Sequence, residues 1–198
     1  MSNIVLKGST SGNVTISVPA EAGSNTLTIP ASTGTMLTTV NPKAGNIIQV
    51  VSTTKTDVFS SSTVDTFVDI TGLSVAITPS ATSNKILVLY DIQMSGTELV
   101  FIQLVRASTA IKVGASDSAN RIECTVGGFI QASNNDKVAP AAGNFLDSPS
   151  TTDATTYKLQ GRVYSSSKTF KVNAPVNDSN ASYTGRGAST ITVMEVAG

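Results

Sequence analysis

The sequence predicts an all-β protein, with a short N-terminal strand segment followed by a longer unit of sandwich or jelly-roll type. Three observations point there. Ser and Thr make up about a quarter of the chain, while charged residues are only 13% against roughly 25% in average soluble domains. Thr favours strands, and Ser and Thr with Gly and Asn favour turns; long runs of Ala, Leu, Glu and Lys, which would build helices, are missing. Apolar residues, at 40%, alternate with polar ones in short runs bounded by turn clusters.

The first 40 residues carry an internal repeat. Ser17-Val18-Pro19-Ala20-Glu21-Ala22-Gly23 and Thr28-Ile29-Pro30-Ala31-Ser32-Thr33-Gly34 share the pattern [Ser/Thr]-[Val/Ile]-Pro-Ala-x-x-Gly. Each copy follows an alternating run, Val14-Thr15-Ile16-Ser17-Val18 and Leu27-Thr28-Ile29, so one side of each strand is apolar. Strands this short, each stopped by a proline that cannot donate to a ladder, cannot bury that side alone. The segment is therefore expected to associate with further copies of itself. Asn41-Pro42-Lys43-Ala44-Gly45-Asn46 reads as a linker, which divides the chain into a docking or shaft segment (1–40), the linker (41–46) and a sandwich domain (47–198).

About nine strands are predicted from Ile47 onward. Ile47 to Ser52 opens the series. Thr66 to Ile70 and Leu73 to Ile77 follow, with Thr71-Gly72 between them as a tight turn or bulge. Lys85 to Met94 is the strongest. Leu99 to Arg106, Arg121 to Val126, Thr156 to Tyr164, Lys168 to Val172 and Thr190 to Val196 complete the set. Gly127-Gly128 reads as a turn. The stretch from Ala132 to Thr155 holds few apolar residues besides Phe145 and Leu146 and is expected to be an extended surface loop. Ile86-Leu87-Val88-Leu89-Tyr90 is apolar on both faces, and Phe101-Ile102-Gln103-Leu104-Val105 more mildly so. One face can line the sandwich core; the other needs a second cover, expected from a neighbouring copy.

Function classes are narrowed mostly by exclusion. There is no histidine, which removes His-based acid–base chemistry and most zinc sites. No phosphate loop occurs. Glu98, Glu123 and Glu195 are too scattered in sequence to suggest a glycosidase pair. Thirteen basic residues balance 13 acidic ones without a basic cluster, so no nucleic-acid surface is expected. The longest apolar runs are too short to span a membrane, and no signal-peptide pattern opens the chain. Asn13, Asn177 and Asn180 head glycosylation sequons that carry no weight without such a signal. Cys124 is expected as a small buried hydrophobe. Asn134-Asn135-Asp136 and Asn177-Asp178 offer oxygens but lack the alternating spacing of a calcium loop. The expectation is binding without catalysis: no catalytic residue, no metal and no cofactor. Contact residues are sought in the loops Asn134–Asp136, Asp147–Ser150 and Asn177–Arg186, and among Tyr157, Tyr164, Tyr183 and Arg186.

The segment from Gly12-Asn13-Val14-Thr15-Ile16-Ser17-Val18-Pro19-Ala20 through Leu27-Thr28-Ile29-Pro30-Ala31-Ser32-Thr33-Gly34-Thr35-Met36 resembles a motif of bacteriophage tail-fibre proteins, those of marine phages especially. Phe67 to Leu73 leading into Ile77-Thr78-Pro79 and Lys85 to Val88, with the closing Ser189 to Val196, is more loosely similar to the trimeric knobs of such fibres. The resemblance implies a homotrimer with interleaved strands in a thin shaft and a knob of the tumour-necrosis-factor type. The expected fold is then all-β, a short N-terminal intertwining strand segment followed by a jelly-roll-like β-sandwich knob. It implies a virion structural protein, made in the host cytoplasm: a short homotrimeric tail fibre contacting a host glycan or envelope protein. The alternative is a capsid decoration or head-fibre protein. Related fibres carry a long anchoring domain before this motif, which here begins about a dozen residues after Met1. Docking on other virion proteins is expected through a very short segment, a separate protein or another mode.

Overall fold

The structure, a computed structural model, describes residues 4–7, 9–17, 24, 26, 42–115, 120–129 and 135–198. The chain divides into two compact units, 1–36 and 37–198. In the first, β1 (Ile4–Lys7) and β2 (Asn13–Ile16) form an antiparallel hairpin. The second Pro-Ala-x-x-Gly copy, with its strand Leu27 to Ile29, lies outside the described residues, as does Pro19-Ala20.

The second unit is all-β among its described residues, with two antiparallel sheets packed face to face. One is built from β3 (Ile47–Lys55), β4 (Phe59–Ser61), β6 (Lys85–Gly96), β10 (Ala139–Asp147), β12 (Phe170–Val172) and β13 (Ser189–Val196). The other contains β5 (Val68–Ile77), β7 (Val100–Arg106), β8 (Thr109–Ile111), β9 (Val126–Phe129) and β11 (Thr155–Val163). Strand β6 pairs β10 along one edge and β13, then β12, along the other; β3 and β4 lie outside β13 and β12. Four strand lines result, β3/β4, β13/β12, β6 and β10. The opposite sheet runs β5, β11, β7 and β8/β9. Chain order alternates between the sheets in the two-Greek-key path of a jelly roll, as the sequence predicts.

The pleat sorts the side chains. Ile86, Val88, Tyr90, Ile92 and Met94 of β6 point inward and are buried, against Ile102 and Leu104 of β7, Tyr157 and Leu159 of β11 and Leu73 and Val75 of β5. Phe170 packs against Phe59 with ring centroids 5.7 Å apart. Gly161 leaves the room: a Cβ there would sit 2.6 Å from the Phe170 ring.

Five expectations need correction. Thr66–Ile70 and Leu73–Ile77 lie on one strand, β5, rather than two; of the two readings of Thr71-Gly72 the bulge holds, with Gly72 at φ +89° where the pairing with β11 shifts. Gly127 and Gly128 are not a turn; they stand in β9 opposite Phe101, a second bulge with Gly128 at φ +56°. The predicted strand from Arg121 begins only at Val126, and Cys124 before it is half-buried rather than a core residue. The expected loop from Ala132 to Thr155 contains β10. Its inward positions start small, with Ala139, Ala141 and Gly143 ahead of Phe145, and at Gly143 the Tyr90 hydroxyl occupies the space: a Cβ there would lie 2.5 Å from Tyr90 Oη. Pro140 is tolerated because β10 is an edge strand.

Buried polar groups hold the strand lines together. Asn173 stands where β12 gives way toward β13, with φ 66°, a left-handed geometry Asn accepts more readily than most residues. Its Nδ2 donates to the carbonyls of Lys55 (2.8 Å) and Asp57 (3.0 Å), and its Oδ1 accepts from Ser189 Oγ at 2.6 Å. It thereby bridges the matching break between β3 and β4. Asp147, at the end of β10, accepts from Tyr157 Oη (2.7 Å) and, through both oxygens, from Arg106 Nη1 at 2.8 and 2.9 Å. Burial and then the neighbouring Asp147 carboxylate push the Tyr157 phenol pKa up.

Glu195 is fully buried in β13. Its carboxylate accepts from Ser80 N (2.6 Å), Ser80 Oγ (2.7 Å), Asn84 Nδ2 (2.6 Å) and Gln49 Nε2 (2.5 Å). Burial pushes its pKa up, but the hydrogen bonds from Gln49, Asn84 and Ser80 outweigh that and hold it below its ordinary value of 4.5. A carboxyl lowered in the folded state contributes stability that is full above its unfolded value and is lost as pH falls through the lower folded value. Thermal stability should therefore hold above about pH 5 and fall below about pH 4.5. Glu195→Gln, which sets an amide NH2 against the same donors, should cost about 2–3 kcal/mol at neutral pH and flatten that acid limb. An unchanged acid limb in the variant, read by calorimetry across pH 3–7, would exclude Glu195 as its source.

Candidate functional site

Residues that leave the core on β6 emerge on the outer face of the six-stranded sheet. Register places Val50, Met194, Leu87 and Leu146 directly side by side across β3, β13, β6 and β10. Ile47 and Val196 pair next to this row on one side. On the other side lies Ser52, Thr192, Leu89 and Asn144, and beyond it Thr54, Thr190, Asp91 and Ala142. The hydroxyls pair across the strands, Ser52 with Thr192 at 2.8 Å and Thr54 with Thr190 at 3.2 Å. Ile47, Val50, Leu89 and Leu146 keep 50%, 55%, 37% and 48% of their surface in water. Together they leave roughly 350 Å² of apolar surface open, within the range of the largest patches on monomers, and about 9 kcal/mol if wholly covered. A shallow concavity of about 430 Å³ lies beside the row, lined by Leu89, Asp91, Ala142, Asn144, Thr190 and Thr192 among others.

The outer face of the other sheet has a different character. Lys158 reaches Asp69 at 2.8 Å, and Arg162 reaches Asp65 at 3.1 Å. Lys158 and then Gln160 hold the Asp69 carboxyl below its ordinary pKa. One face of the sandwich is thus laced with charge, and the other is apolar and hydroxylic. Such a contrast marks the apolar face as the place where another surface can displace water.

The N-terminal hairpin has the same property on a smaller scale. Ile4 stands opposite Ile16 and Leu6 opposite Val14, so four apolar side chains share one face. All four are exposed, from 43% for Ile16 to 64% for Val14. Among the described residues these two strands of four have no second layer, and such a pair is marginal alone.

The loops singled out in the sequence fare differently. Asn134 lies outside the described residues. Asn135 and Asp136 meet the later loop, with Asn177 N donating to Asn135 O at 2.9 Å and Asn177 Nδ2 to Asp136 Oδ1 at 3.1 Å. Within Asn177–Arg186, Arg186 grips Asp178 through Nε and Nη2 at 3.1 and 2.7 Å, which lowers the Asp178 pKa. Thr184 Oγ1 donates to the carbonyls of Ser179 and Ala181, and Tyr183 stands out in water. Asp147 belongs to the buried network described above, so only Ser148 to Ser150 of that loop offer surface. Tyr157 is buried, and Tyr164 is exposed beside Arg162, away from the Tyr183 loop. Glu98 contacts Ser165 and Lys168, whereas Glu195 is held by Gln49, Ser80 and Asn84, so these two do not form a catalytic pair. Among the described residues no three His, Cys, Asp or Glu side chains gather as a metal site.

The apolar row was half legible in the sequence. Leu87 and Leu89 stood out by breaking the alternation of β6. Val50 and Met194 are ordinary strand residues until the register sets them beside β6, and Leu146 lies in a stretch that the sequence predicts as a loop.

No protein-family model matches the chain, and no curated protein matches it. Among solved structures, it is similar to infectious bursal disease virus of the Gt strain, with TM-score 0.42 and 12% identity over 98% of this chain and 46% of that one. The Gx strain structure gives 0.36 and 16% over 94% and 43%, and the VP2 subviral particle of the same virus 0.36 and 14% over 94% and 44%. The chain spans less than half the length of each.

The pleat assignment has a direct test. Val50→Ser combined with Leu146→Ser should change unfolding free energy by less than about 1 kcal/mol, since both side chains are already wet. Val88→Ser, on the opposite face of the same sheet, should cost about 2–4 kcal/mol. Urea denaturation of the two variants, compared under conditions that keep the chain dilute, reads the difference.

Proposed function

We propose that this chain is a virion structural protein of a bacteriophage, a short homotrimeric tail fibre whose jelly-roll unit contacts the host surface. The observation that carries this reading is the cross-strand row Val50, Met194, Leu87 and Leu146, an apolar face that no second layer covers among the described residues. The occupant proposed is a neighbouring copy of this chain, in a heterologous contact that closes into a ring of three. The face is neutral overall, with Lys85 at one end of the outward β6 positions and Asp91 toward the other, so copies can meet without net repulsion. The hairpin β1–β2 supports the same conclusion, because its four apolar side chains also need cover from outside the pair of strands. The repeated Pro-Ala-x-x-Gly pattern and its resemblance to phage fibres supply the trimer and the virion setting.

The same build serves a decoration protein on the phage shell, and an antibody against the chain, imaged on intact particles, separates tail from head. Function in either place is mechanical: hold position, present loops and bind. Release of sugar or peptide fragments by the purified chain would overturn the non-enzymatic reading.

Light scattering at micromolar concentration should give three times the chain mass. Val50→Asp with Leu146→Asp places two carboxylates in the apolar row and should dissociate the assembly while leaving the β-type circular dichroism intact. A wild-type chain that is cleanly monomeric would sink the proposal, as would a double variant that still assembles through an unaltered interface.

A further inference from the structure

On the outer face of the five-stranded sheet, a concavity of about 570 Å³ lies over β11 and β7. It is lined by Asp65 and Phe67 ahead of β5, Gln103 of β7, Glu123, Arg162 of β11 and Tyr164, with Asn120, Arg121 and Ile122 completing the wall. We infer that this concavity binds a neutral saccharide, with Tyr164 as the stacking surface and Arg162 and Gln103 as fixed hydrogen-bonding groups. The inference deepens the proposed host-contact role and rests on it for its biological setting, although its chemistry stands on the site itself.

The polar groups are held in place before any ligand arrives. The Arg162 guanidinium lies over the Phe67 ring, 5.9 Å from its centroid. Its Nη2 donates to Asp65 Oδ1 at 3.1 Å and its Nε to Val163 O at 3.5 Å, which leaves Nη1 to donate outward. Gln103 Nε2 donates to the Glu123 carbonyl at 2.7 Å, fixing the amide and leaving Oε1 as an acceptor. A sugar hydroxyl donates and accepts at once, and it needs donors and acceptors side by side in this way. Such fixed groups cost little ordering on binding.

Charge argues for a neutral ligand. Among the described lining residues Asp65 and Glu123 balance Arg121 and Arg162, so these favour neither an anion nor a cation. Tyr164 is 53% exposed, the kind of flat amphipathic ring on which the apolar face of a pyranose can lie. Phe67 is capped by the guanidinium, so the concavity offers no deep apolar hole for a peptide side chain. It also lies over the face of β11 and β7 rather than along a free strand edge, which removes backbone pairing with an extended peptide.

The test uses the full chain and saturation-transfer NMR with trisaccharides of glucose, mannose and galactose. A sulfated heparin disaccharide and an uncharged tetrapeptide serve as the other ligand classes. At least one neutral trisaccharide should receive saturation. Tyr164→Ala should weaken its binding at least about fivefold, and Gln103→Ala should weaken it as well, with thermal unfolding unchanged in both. No transfer to any neutral trisaccharide would overturn the inference, as would undiminished transfer in Tyr164→Ala, or binding of only the sulfated sugar or the peptide. Oligomeric state is read on the same samples: a monomer that binds the trisaccharide sinks the trimer and keeps the saccharide site, and a trimer that binds none does the reverse.

Discussion

Strand β6 sets the terms for the whole sandwich. It is hydrogen-bonded along both edges, to β10 on one side and to β13 and β12 on the other. Because the side-chain period is two, a one-residue slip of any of these pairings would turn Ile86, Val88, Tyr90, Ile92 and Met94 out of the core. Burying five large side chains in one strand is strong enough to dictate the register of its neighbours. The same pleat that sends those five inward sends Leu87 and Leu89 outward. The apolar outer face is then a consequence of sequence choice at positions the core does not constrain, where Ser or Lys would have served the fold equally well.

The buried polar groups act on what β6 leaves undetermined. The two strand lines on one side of it are broken, β13 from β12 and, beyond them, β3 from β4, and hydrophobic burial alone does not say where the breaks fall. Asn173 settles this by satisfying carbonyls on both sides of one break from a residue at the other. Glu195 does similar work at the far end, tying β13 to Gln49 of β3 and to Ser80 and Asn84 in the turn ahead of β6. Each group is costly to bury unpaired, so each permits one arrangement and penalises the rest.

Much of this was legible from the amino acids. The all-β class follows from hydroxyl content and alternation, and eight of the predicted strands lie where β3, β5, β6, β7, β11, β12 and β13 run, two of them on β5. Failures cluster where side chains are small. β10 is hard to read because Ala139, Ala141 and Gly143 carry little hydrophobic signal, and Gly143 is fitted to Tyr90 and Lys112 from elsewhere in the chain. Gly127-Gly128 read as a turn because a bulge uses the same residue and differs only in what pairs beside it. The functional surfaces were less legible still. Leu87 and Leu89 announced an uncovered face, but its extent depends on register, which no local pattern encodes. Tyr164 and Gln103 are 61 positions apart, and only the adjacency of β7 and β11 makes them one site.

The low charge of the chain acquires a meaning from where the charges sit. Lys158, Asp69, Arg162 and Asp65 pair on or beside the outer face of one sheet, and Arg186 and Asp178 pair in a loop; the centre of the other sheet's outer face holds Ser, Thr, Leu, Val and Met, with Lys85 and Asp91 toward its ends. A row of hydroxyls that satisfy one another across strands sits beside a row of aliphatic side chains. In the proposed trimer this pairing has a specific advantage over a wholly apolar face. The hydroxyl row can remain hydrated, or mutually bonded, at the rim while the aliphatic row excludes water at the centre. Charged groups in those positions would need partners or water at every stage of assembly, and a uniformly apolar face would associate without a defined register. Sparse charge, concentrated mainly on one sheet and its loops, gives the two faces of a single sandwich different chemistry: in the proposed trimer, one packs against a neighbouring copy and the other serves polar recognition.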